Sequence, residues 1–443
     1  MDLDSLKQIT QDVLKLAKNA GASSAETETS YGSGQNVSVR LGETETIEYN
    51  RDKGVSVTVY FGQQKGNAST SDLSLSALKD TVEAACNIAK YTAKDEFCGL
   101  ADAALMATDF PDLDLNHPWH ISVDDALEMA KHCEAAALGV DTKRINNSEG
   151  AGVSNSDGVF AYANSHGFVD GYVSTRHSMS CSVIAGEGDA MQREYWYTSA
   201  RDFADMETAE EIGKIAGERT IRRLGAKLMQ TGNFPVLFEA PLASGLISSL
   251  VSAISGGSLY RKSSFLLDSL GKQIASSVLN IDELPHLKKG SASSPFDGEG
   301  VATKSRKLVQ NGVLQGYVLG SYSARKLGMQ TTGNAGGTHN LIVQSTGQNM
   351  AELLQLMGTG LLVTEVLGHG LNMVTGDYSR GAAGFWVQNG VIAYPVEEIT
   401  IAGNMADMLK NMVAIGTDVN KNSSKQTGSI LIGKMTVAAG GQE

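Results

Sequence analysis

Residues 368–405 read GHGLNMVTGDYSRGAAGFWVQNGVIAYPVEEITIAGNM. No other part of the chain is so dense in residues with specific backbone or side-chain demands. Asn389-Gly390 lies between two apolar runs, the strongest short-range signal for a two-residue β-hairpin. The glycines suit tight turns and close backbone approach, and Phe385-Trp386 supplies apolar mass for a packed sheet. The stretch predicts a β-rich C-terminal domain. Its polar run Asp377-Tyr378-Ser379-Arg380 is the first place to look for a functional site. Asp377 and Arg380 are near enough in sequence to pair with each other or to hold a peptide terminus. His369, between two glycines, can approach a ligand closely; its plainer reading is a histidine in a turn.

Around this stretch the same texture continues. The pentapeptide VQNGV occurs at 309–313 and again at 387–391, which predicts two similar hairpins in one sheet. Phe234 to Phe238 reads as a short apolar strand running into a helix from Leu242 to Ile254, stopped by Gly256-Gly257. Asn349 and Glu352 form a capping box for a helix over 350–357. Asn404 caps another over 405–414, and SILIGKMTVAA closes the chain as a strand.

The first 225 residues mix the two periodicities. Leu3, Leu6, Ile9, Val13, Leu16 and Ala20 follow the helical repeat. Val37, Val39 and Leu41, then Val55, Val57, Val59 and Phe61, alternate as strands do, joined by the polar and turn-rich GETETIEYNRDKG. A second helix follows Asp72, and a third runs from the cap at Ser122 to Gly139. Between 145 and 203, Asn155-Ser-Asp-Gly158 and Asn164-Ser-His-Gly167 read as turns of an antiparallel meander. A helix over 207–224 then stops at Gly225. The expected class is α+β: an N-terminal helix–hairpin–helix unit over 1–95, a middle antiparallel β-rich domain with helices over 96–225, and a large C-terminal β-rich domain, sheet or barrel-like and covered by helices, over 226–443.

Composition narrows the function. With 42% hydrophobic and 19% charged residues the chain is globular rather than disordered. A net charge of −13 argues against nucleic acid, whose phosphates require a basic face. There is no apolar run of the ~18 residues that a membrane span needs, and the acidic start MDLDSLKQ lacks a secretory core. Cys86, Cys98, Cys133 and Cys181 are scattered without a C-x-x-C pair and read as reduced thiols of a cytoplasmic protein.

The familiar catalytic motifs fail in turn. There is no phosphate loop, no complete dinucleotide fingerprint and no G-x-S-x-G elbow. His117 and His120 stand three apart in HPWH, with a proline inside and no glutamate, a poor metal pair. Asp297 and Glu299 in SPFDGEG could serve acid–base work, but an Asp-Gly turn gives that pattern routinely.

Several long runs nevertheless resemble one family. SPFDGEGVAT, the TTGN of 331–334, TGDYSRGAAGFWVQNG and PVEEITIAGNM are similar, in that order, to the PmbA (TldE) branch of the TldD/PmbA peptidase family. GASSAE, NVSVRLG and KGVSVTVYFGQQKGNASTSDLS match its opening. The resemblance implies a zinc-peptidase lineage in which the TldD branch carries a His-Glu-x-x-x-His motif where a strand enters a helix, with a cysteine as a further ligand. The matching stretch here is FEAPLA, 238–243. Glu239 is kept, while Phe238 and Ala243 replace the histidines, and neither side chain has a lone pair for zinc. No cysteine follows residue 181. The resemblance therefore implies a metal-free chain without catalytic residues. Its partner would be a zinc-bearing, TldD-like subunit, joined in a cytoplasmic heterodimer that degrades unfolded or extended peptides, with either a homodimer or a monomer as the isolated form. His369, Asp377, Tyr378, Ser379 and Arg380 are then candidates for substrate or partner contact. The alternative is a stand-alone peptide-binding or regulatory module that uses exposed sheet edges; a third reading is an independent metallopeptidase using His369 with Asp377.

Overall fold

The computed structural model describes residues 1–439. Its first half is built on one long sheet. In chain order the elements are α1 (Leu3–Asn19), β1 (Ser24–Arg40), β2 (Glu43–Phe61), β3 (Gln64–Thr70), α2 (Leu75–Tyr91), α3 (Val123–Gly139), β4 (Ile145–Asn164), β5 (Val169–Ala185), β6 (Gln192–Ala200) and α4 (Ala209–Arg222). The strands lie in the order β3-β2-β1-β4-β5-β6, so the sheet is continuous across residue 95.

Strand β1 is long enough to serve two helix pairs. At a rise of about 3.3 Å per residue its seventeen residues span roughly 55 Å. Toward its start Ala25 packs with Val13 and Ala17 of α1 and with Leu78, Val82 and Ala85 of α2. Toward its end Val37 and Val39 pack with Ala126, Ala130 and Cys133 of α3 and Ile212 and Ala216 of α4. The helices begin where side chains can satisfy their free N–H groups. Asp2, Ser74 and Ser122 accept from the third residue beyond, and Thr208 with Glu211 closes a reciprocal capping box.

Two sequence expectations fail here for one reason, namely that backbone pairing does not require apolar side chains. Residues 43–54 of the run GETETIEYNRDKG are strand, paired with β1 from Ser30↔Gly54 to Arg40↔Glu43. The hairpin turn is only Leu41-Gly42, both at positive φ (52° and 79°), as a type I′ turn requires. Buried Glu134 of α3 accepts both turn N–H groups, each at 2.8 Å. Asn155–Gly158 is no turn either. It lies mid-strand in β4, paired on both sides with β1 and β5, and Asn155 donates to the Trp119 carbonyl while accepting from the Gln35 N–H. The turn at 164–167 is present, with Gly167 at φ 95°.

The second half comprises β7 (Gly232–Phe238), α5 (Ala240–Ala253), α6 (Gly256–Tyr260), β8 (Ile281–Leu284), β9 (Arg306–Gln310), β10 (Val313–Leu314), α7 (Ser321–Lys326), β11 (Asn340–Val343), α8 (Met350–Met357), β12 (Gly360–Leu367), β13 (Asp377–Gln388), β14 (Val391–Asn404), α9 (Met405–Lys410), β15 (Met412–Ile415), β16 (Lys425–Gln426) and β17 (Ile430–Ala439). Strands β14-β13-β12-β7-β17 pair in that order, and β14 also pairs with β17 through Ile399↔Ala439 to Ala402↔Thr436. The five strands close into a barrel, with β15 added outside β17. Strands β10-β9-β8-β11-β16 form a second sheet.

Both VQNGV copies make the expected hairpin, with Asn311-Gly312 and Asn389-Gly390 at positive φ. They belong to different sheets, β9–β10 to the second and β13–β14 to the barrel, which corrects the expectation of one shared sheet. The helix expected over 405–414 ends at Lys410, because Met412–Ile415 leaves to pair with β17. Gly256-Gly257 does not simply stop a helix but opens α6.

Candidate functional site

Strand β7 brings FEAPLA to its position. Phe238, the last strand residue, is held between Val363 of β12 and Ile430 of β17 and is 1% exposed. Leu237 beside it faces the opposite side and packs with Leu353 and Met357 of α8. Glu239 then begins α5: its carbonyl accepts from the N–H groups of Leu242 and Ala243, both at 2.9 Å. Pro241 sits in the first turn, where its missing N–H costs nothing. Ala243 is fully buried.

The Glu239 side chain caps nothing on α5. It turns to Arg219 of α4, whose Nη1 and Nη2 donate to Oε1 and Oε2 at 2.8 and 3.0 Å. This is the two-pronged geometry that makes arginine–carboxylate pairs strong. Glu194 of β6 approaches Arg219 Nε at 3.5 Å and Arg223 Nη1 at 3.4 Å, and Arg223 reaches Glu365 of β12. Burial opposes the Arg219 charge, but the Glu239 and Glu194 carboxylates outweigh it and hold its pKa above the usual arginine value. The guanidinium also lies 5.3 Å from the centre of the Trp196 ring. Two cations and three carboxylates thus join α4 and β6 to the mouth of the barrel, around a cavity of about 180 Å³ edged by Tyr195, Pro241 and Thr364.

These residues do not suit zinc. Phenyl and methyl groups offer it no electron pair, and both Glu239 oxygens are already engaged. Among the described residues no group of three or more His, Cys, Asp or Glu is placed to hold a metal.

The residues of the opening stretch lie on the same barrel. Strand β12 carries Glu365 and ends with Leu367 paired to Gly381 of β13. Gly368 to Gly376 folds back along β13, the Ser379 N–H donating to the Gly370 carbonyl at 2.7 Å. A Cβ on Gly370 would fall 1.6 Å from the Ser379 carbonyl oxygen, so only glycine permits this approach. Asp377, Tyr378, Ser379 and Arg380 form the start of β13 rather than a loop. Side chains therefore alternate, with Asp377 and Ser379 exposed and Tyr378 buried.

Asp377 and Arg380 do not pair. Asp377 accepts from Thr375 Oγ1 at 2.6 Å and from Asn404 Nδ2 at 3.3 Å. The Arg380 guanidinium lies 5.6 Å from the Tyr378 ring centre, and its buried Nε has no hydrogen-bond partner among the described residues. Burial pushes the Tyr378 hydroxyl pKa up. His369 is exposed, and no hydrogen bond or ion pair joins it to Asp377 among the described residues.

Sequence reasoning missed Arg219, Arg223, Glu194 and Glu365. Glu194, the Arg219–Arg223 pair and Glu365 are far apart in the chain and meet only once β6, α4, β7 and β12 converge. The available signal was the cluster Arg219, Arg222 and Arg223 at the end of an amphipathic helix, more positive charge than that helix end requires.

Asp297 behaves differently from an exposed turn residue. It is 3% exposed, and it accepts from the N–H groups of Glu299, Val301 and Ala335 at 2.9, 3.0 and 2.9 Å. Burial outweighs these donors and pushes its pKa up to about 6.

Known proteins repeat this architecture. Domain profiles described as PmbA/TldA metallopeptidase domain 1, central domain and C-terminal domain match residues 26–89, 116–224 and 231–439. A "Metalloprotease PmbA homolog" of Haemophilus influenzae is 52% identical over 98% of this chain and 96% of its own length. The "Metalloprotease PmbA" of Escherichia coli O157:H7 is 49% identical over the same shares. A crystal structure from Bacteroides thetaiotaomicron, described as a candidate modulator of DNA gyrase, superposes with a TM-score of 0.94 at 31% identity, covering 99% of this chain and 100% of that one. TldE from Thermococcus kodakarensis, 19% identical, shares the fold with a TM-score of 0.84 over 97% of this chain and 100% of its own. The chain belongs to the PmbA/TldD metallopeptidase family.

Proposed function

We propose that this chain is the metal-free subunit of a cytoplasmic, heteromeric zinc peptidase acting on unfolded or extended peptides. A TldD-like partner supplies the zinc and the general base, and this chain shapes the chamber and holds the substrate. One observation carries the reading: the one ionisable group at the FEAPLA junction, Glu239, is held by both its oxygens to Arg219. A general base needs a carboxylate oxygen aimed at a water; here both oxygens are turned to the Arg219 guanidinium. Phe238 and Ala243 belong to the core around it. What the junction does is dock α4 onto the barrel.

The test is direct. The chain is purified alone, its zinc is measured by atomic emission, and cleavage of an unfolded peptide is assayed with and without a TldD-like partner. Cleavage only in the mixture, with zinc in the partner, is expected. Stoichiometric zinc and cleavage by this chain alone overturn the proposal.

A second reading, a stand-alone peptide-binding module, draws support from the edge of β2. Strand β3 pairs only with Val55–Phe61, so the outer edge of residues 43–54 presents unpaired backbone groups beside exposed Ile47 and Tyr49. Native mass spectrometry separates the readings. A stable complex with a TldD-like chain favours the first, and a homodimer that binds peptides without one favours the second.

A further inference from the structure

A second cavity, of about 750 Å³, lies between the N-terminal sheet and the C-terminal domain. Glu26, Tyr60 and Lys65 come from the sheet, Glu299, Tyr322 and Lys326 from the C-terminal domain, and residues 92–99 complete the lining. That last segment is fastened across the gap. Arg325 donates to the carbonyls of Phe97 and Gly99, both at 3.0 Å, and Tyr322 donates to Asp95 at 2.7 Å. The volume falls within the range of small-molecule sites.

The charges inside are incompletely matched. The Glu26 carboxylate accepts from the hydroxyls of Tyr60 and Tyr162, each at 2.8 Å, and forms no salt bridge among the described residues. Burial, together with the Glu299 charge, pushes its pKa up. Glu299 uses Oε2 to accept from the Ser321 N–H at 2.9 Å and leaves Oε1 uncommitted. On the cationic side, Lys65 forms no salt bridge among the described residues and stands 6.0 Å from the Tyr60 ring centre. Lys326 reaches Asp95 only at 3.8 Å and rests over the Phe97 and Tyr322 rings. The nearest opposite charge felt by the Glu26 carboxylate is that of Lys65, which offsets its burial only in part. Four carboxylates (Glu26, Asp95, Glu96 and Glu299) and three ammonium groups (Lys65, Lys94 and Lys326) line this space; Asp95 is taken up by Tyr322 and Lys326, which leaves Glu26 and Glu299 facing Lys65 and Lys326 across it.

We propose that this cavity binds a small zwitterion, of amino-acid or short-peptide size, with its ammonium against Glu26 and Glu299 and its carboxylate against Lys65 and Lys326. The aromatic rings of Tyr60, Phe97 and Tyr322 supply apolar walls between the two ends. The site is separate from the Arg219–Glu239 junction and does not depend on the peptidase reading.

The test is calorimetric titration of the full chain with alanine, alanyl-alanine and tetra-alanine. N-acetyl-alanyl-alanine and alanyl-alaninamide serve as probes that each lack one charge. At least one zwitterion binds one-to-one, and the length that binds most tightly separates a free amino acid from a peptide. Blocking either terminus weakens binding at least about tenfold, as do Glu299→Gln and Glu26→Gln. Because Glu26→Gln also alters the tyrosine contacts, thermal melts accompany both variants, and Glu299→Gln decides if Glu26→Gln unfolds. No binding by any of the three zwitterions overturns the proposal. So does unchanged affinity in variants that melt like the parent, or equal affinity for the blocked dipeptides.

Discussion

Arg219 donates both terminal nitrogens to the two carboxylate oxygens of Glu239, across the seam between α4 and the barrel. The side chains are 16% and 19% exposed, so each charge is largely removed from water and depends on the other. Removing one partner strands the second. Arg219→Ala is expected to destabilise the isolated chain by about 3 kcal/mol, the low end for a broken buried pair because some solvent reaches it. A double-mutant cycle with Glu239→Ala should show that the two losses do not add. Urea denaturation measures both. Additive losses would mean that the two groups stabilise the chain independently.

The same pair separates structural from catalytic roles. Glu239→Gln keeps the shape and one oxygen acceptor but removes the charge. If Glu239 is a dock, peptide cleavage by the partnered complex survives this change once the folded fraction is equalised. A loss of orders of magnitude in kcat at unchanged KM would instead mark Glu239 as a group acting on the reacting atoms.

Much of this architecture is legible in the residues. Helix starts were marked by caps at Ser122, Asn349 and Asn404, and both Asn-Gly hairpins by their turn chemistry, because these signals are local and each has one physical cause. The failures were also local signals, overridden at longer range. Residues 43–53 are mostly polar because that part of β2 is exposed, yet β1 pairs with all of them but Glu45, which a bulge leaves out. Asn155–Gly158 has turn composition but is clamped between two strands. The FEAPLA junction was readable as core from Phe238 and Ala243. Arg219 was not, since its partner lies on another element and only the tertiary fold joins them.

Asp297 gives a prediction in pH. Its pKa in the folded chain is raised from 3.8 to about 6, so the folded state holds a proton that the unfolded state has already released. The associated stability is fully present below pH about 4 and is lost as pH rises through about 6, roughly 3 kcal/mol in all. Glu299 adds to the effect by repelling the ionised form. Comparing the parent with Asp297→Asn by denaturation across this window isolates the contribution. The parent should lose stability relative to the variant as pH rises. A flat difference would assign Asp297 an ordinary pKa.

Gly370 tests the fold-back of the 368–376 segment. An added Cβ would meet the Ser379 carbonyl, which is backbone and cannot swing aside. Gly370→Ala should cost about 1–3 kcal/mol, as other overpacked sites do. It should also speed hydrogen exchange at the Ser379 N–H, which donates to the Gly370 carbonyl. Gly368→Ala is the control. Its site is open and only the positive φ of 74° is strained, so it should leave Ser379 protection nearly intact.

Asp377 and Arg380 test whether this edge of the barrel meets anything outside the chain. Asp377 is exposed and holds only Thr375 and Asn404, so Asp377→Ala should cost the isolated chain about 1 kcal/mol. Arg380 forms no salt bridge among the described residues and rests on Tyr378; its replacement by Ala should cost about 0.5–1 kcal/mol. Neither loss threatens the fold. If β13 begins at a substrate or subunit contact, both variants nevertheless lower assembly with a TldD-like partner, or cleavage by the assembled pair, well beyond what those small losses explain. Native mass spectrometry reads the first and a peptide assay the second. Wild-type assembly and cleavage in both variants would leave the start of β13 as barrel structure alone, and the search for the contact surface would move to the outer edge of β2.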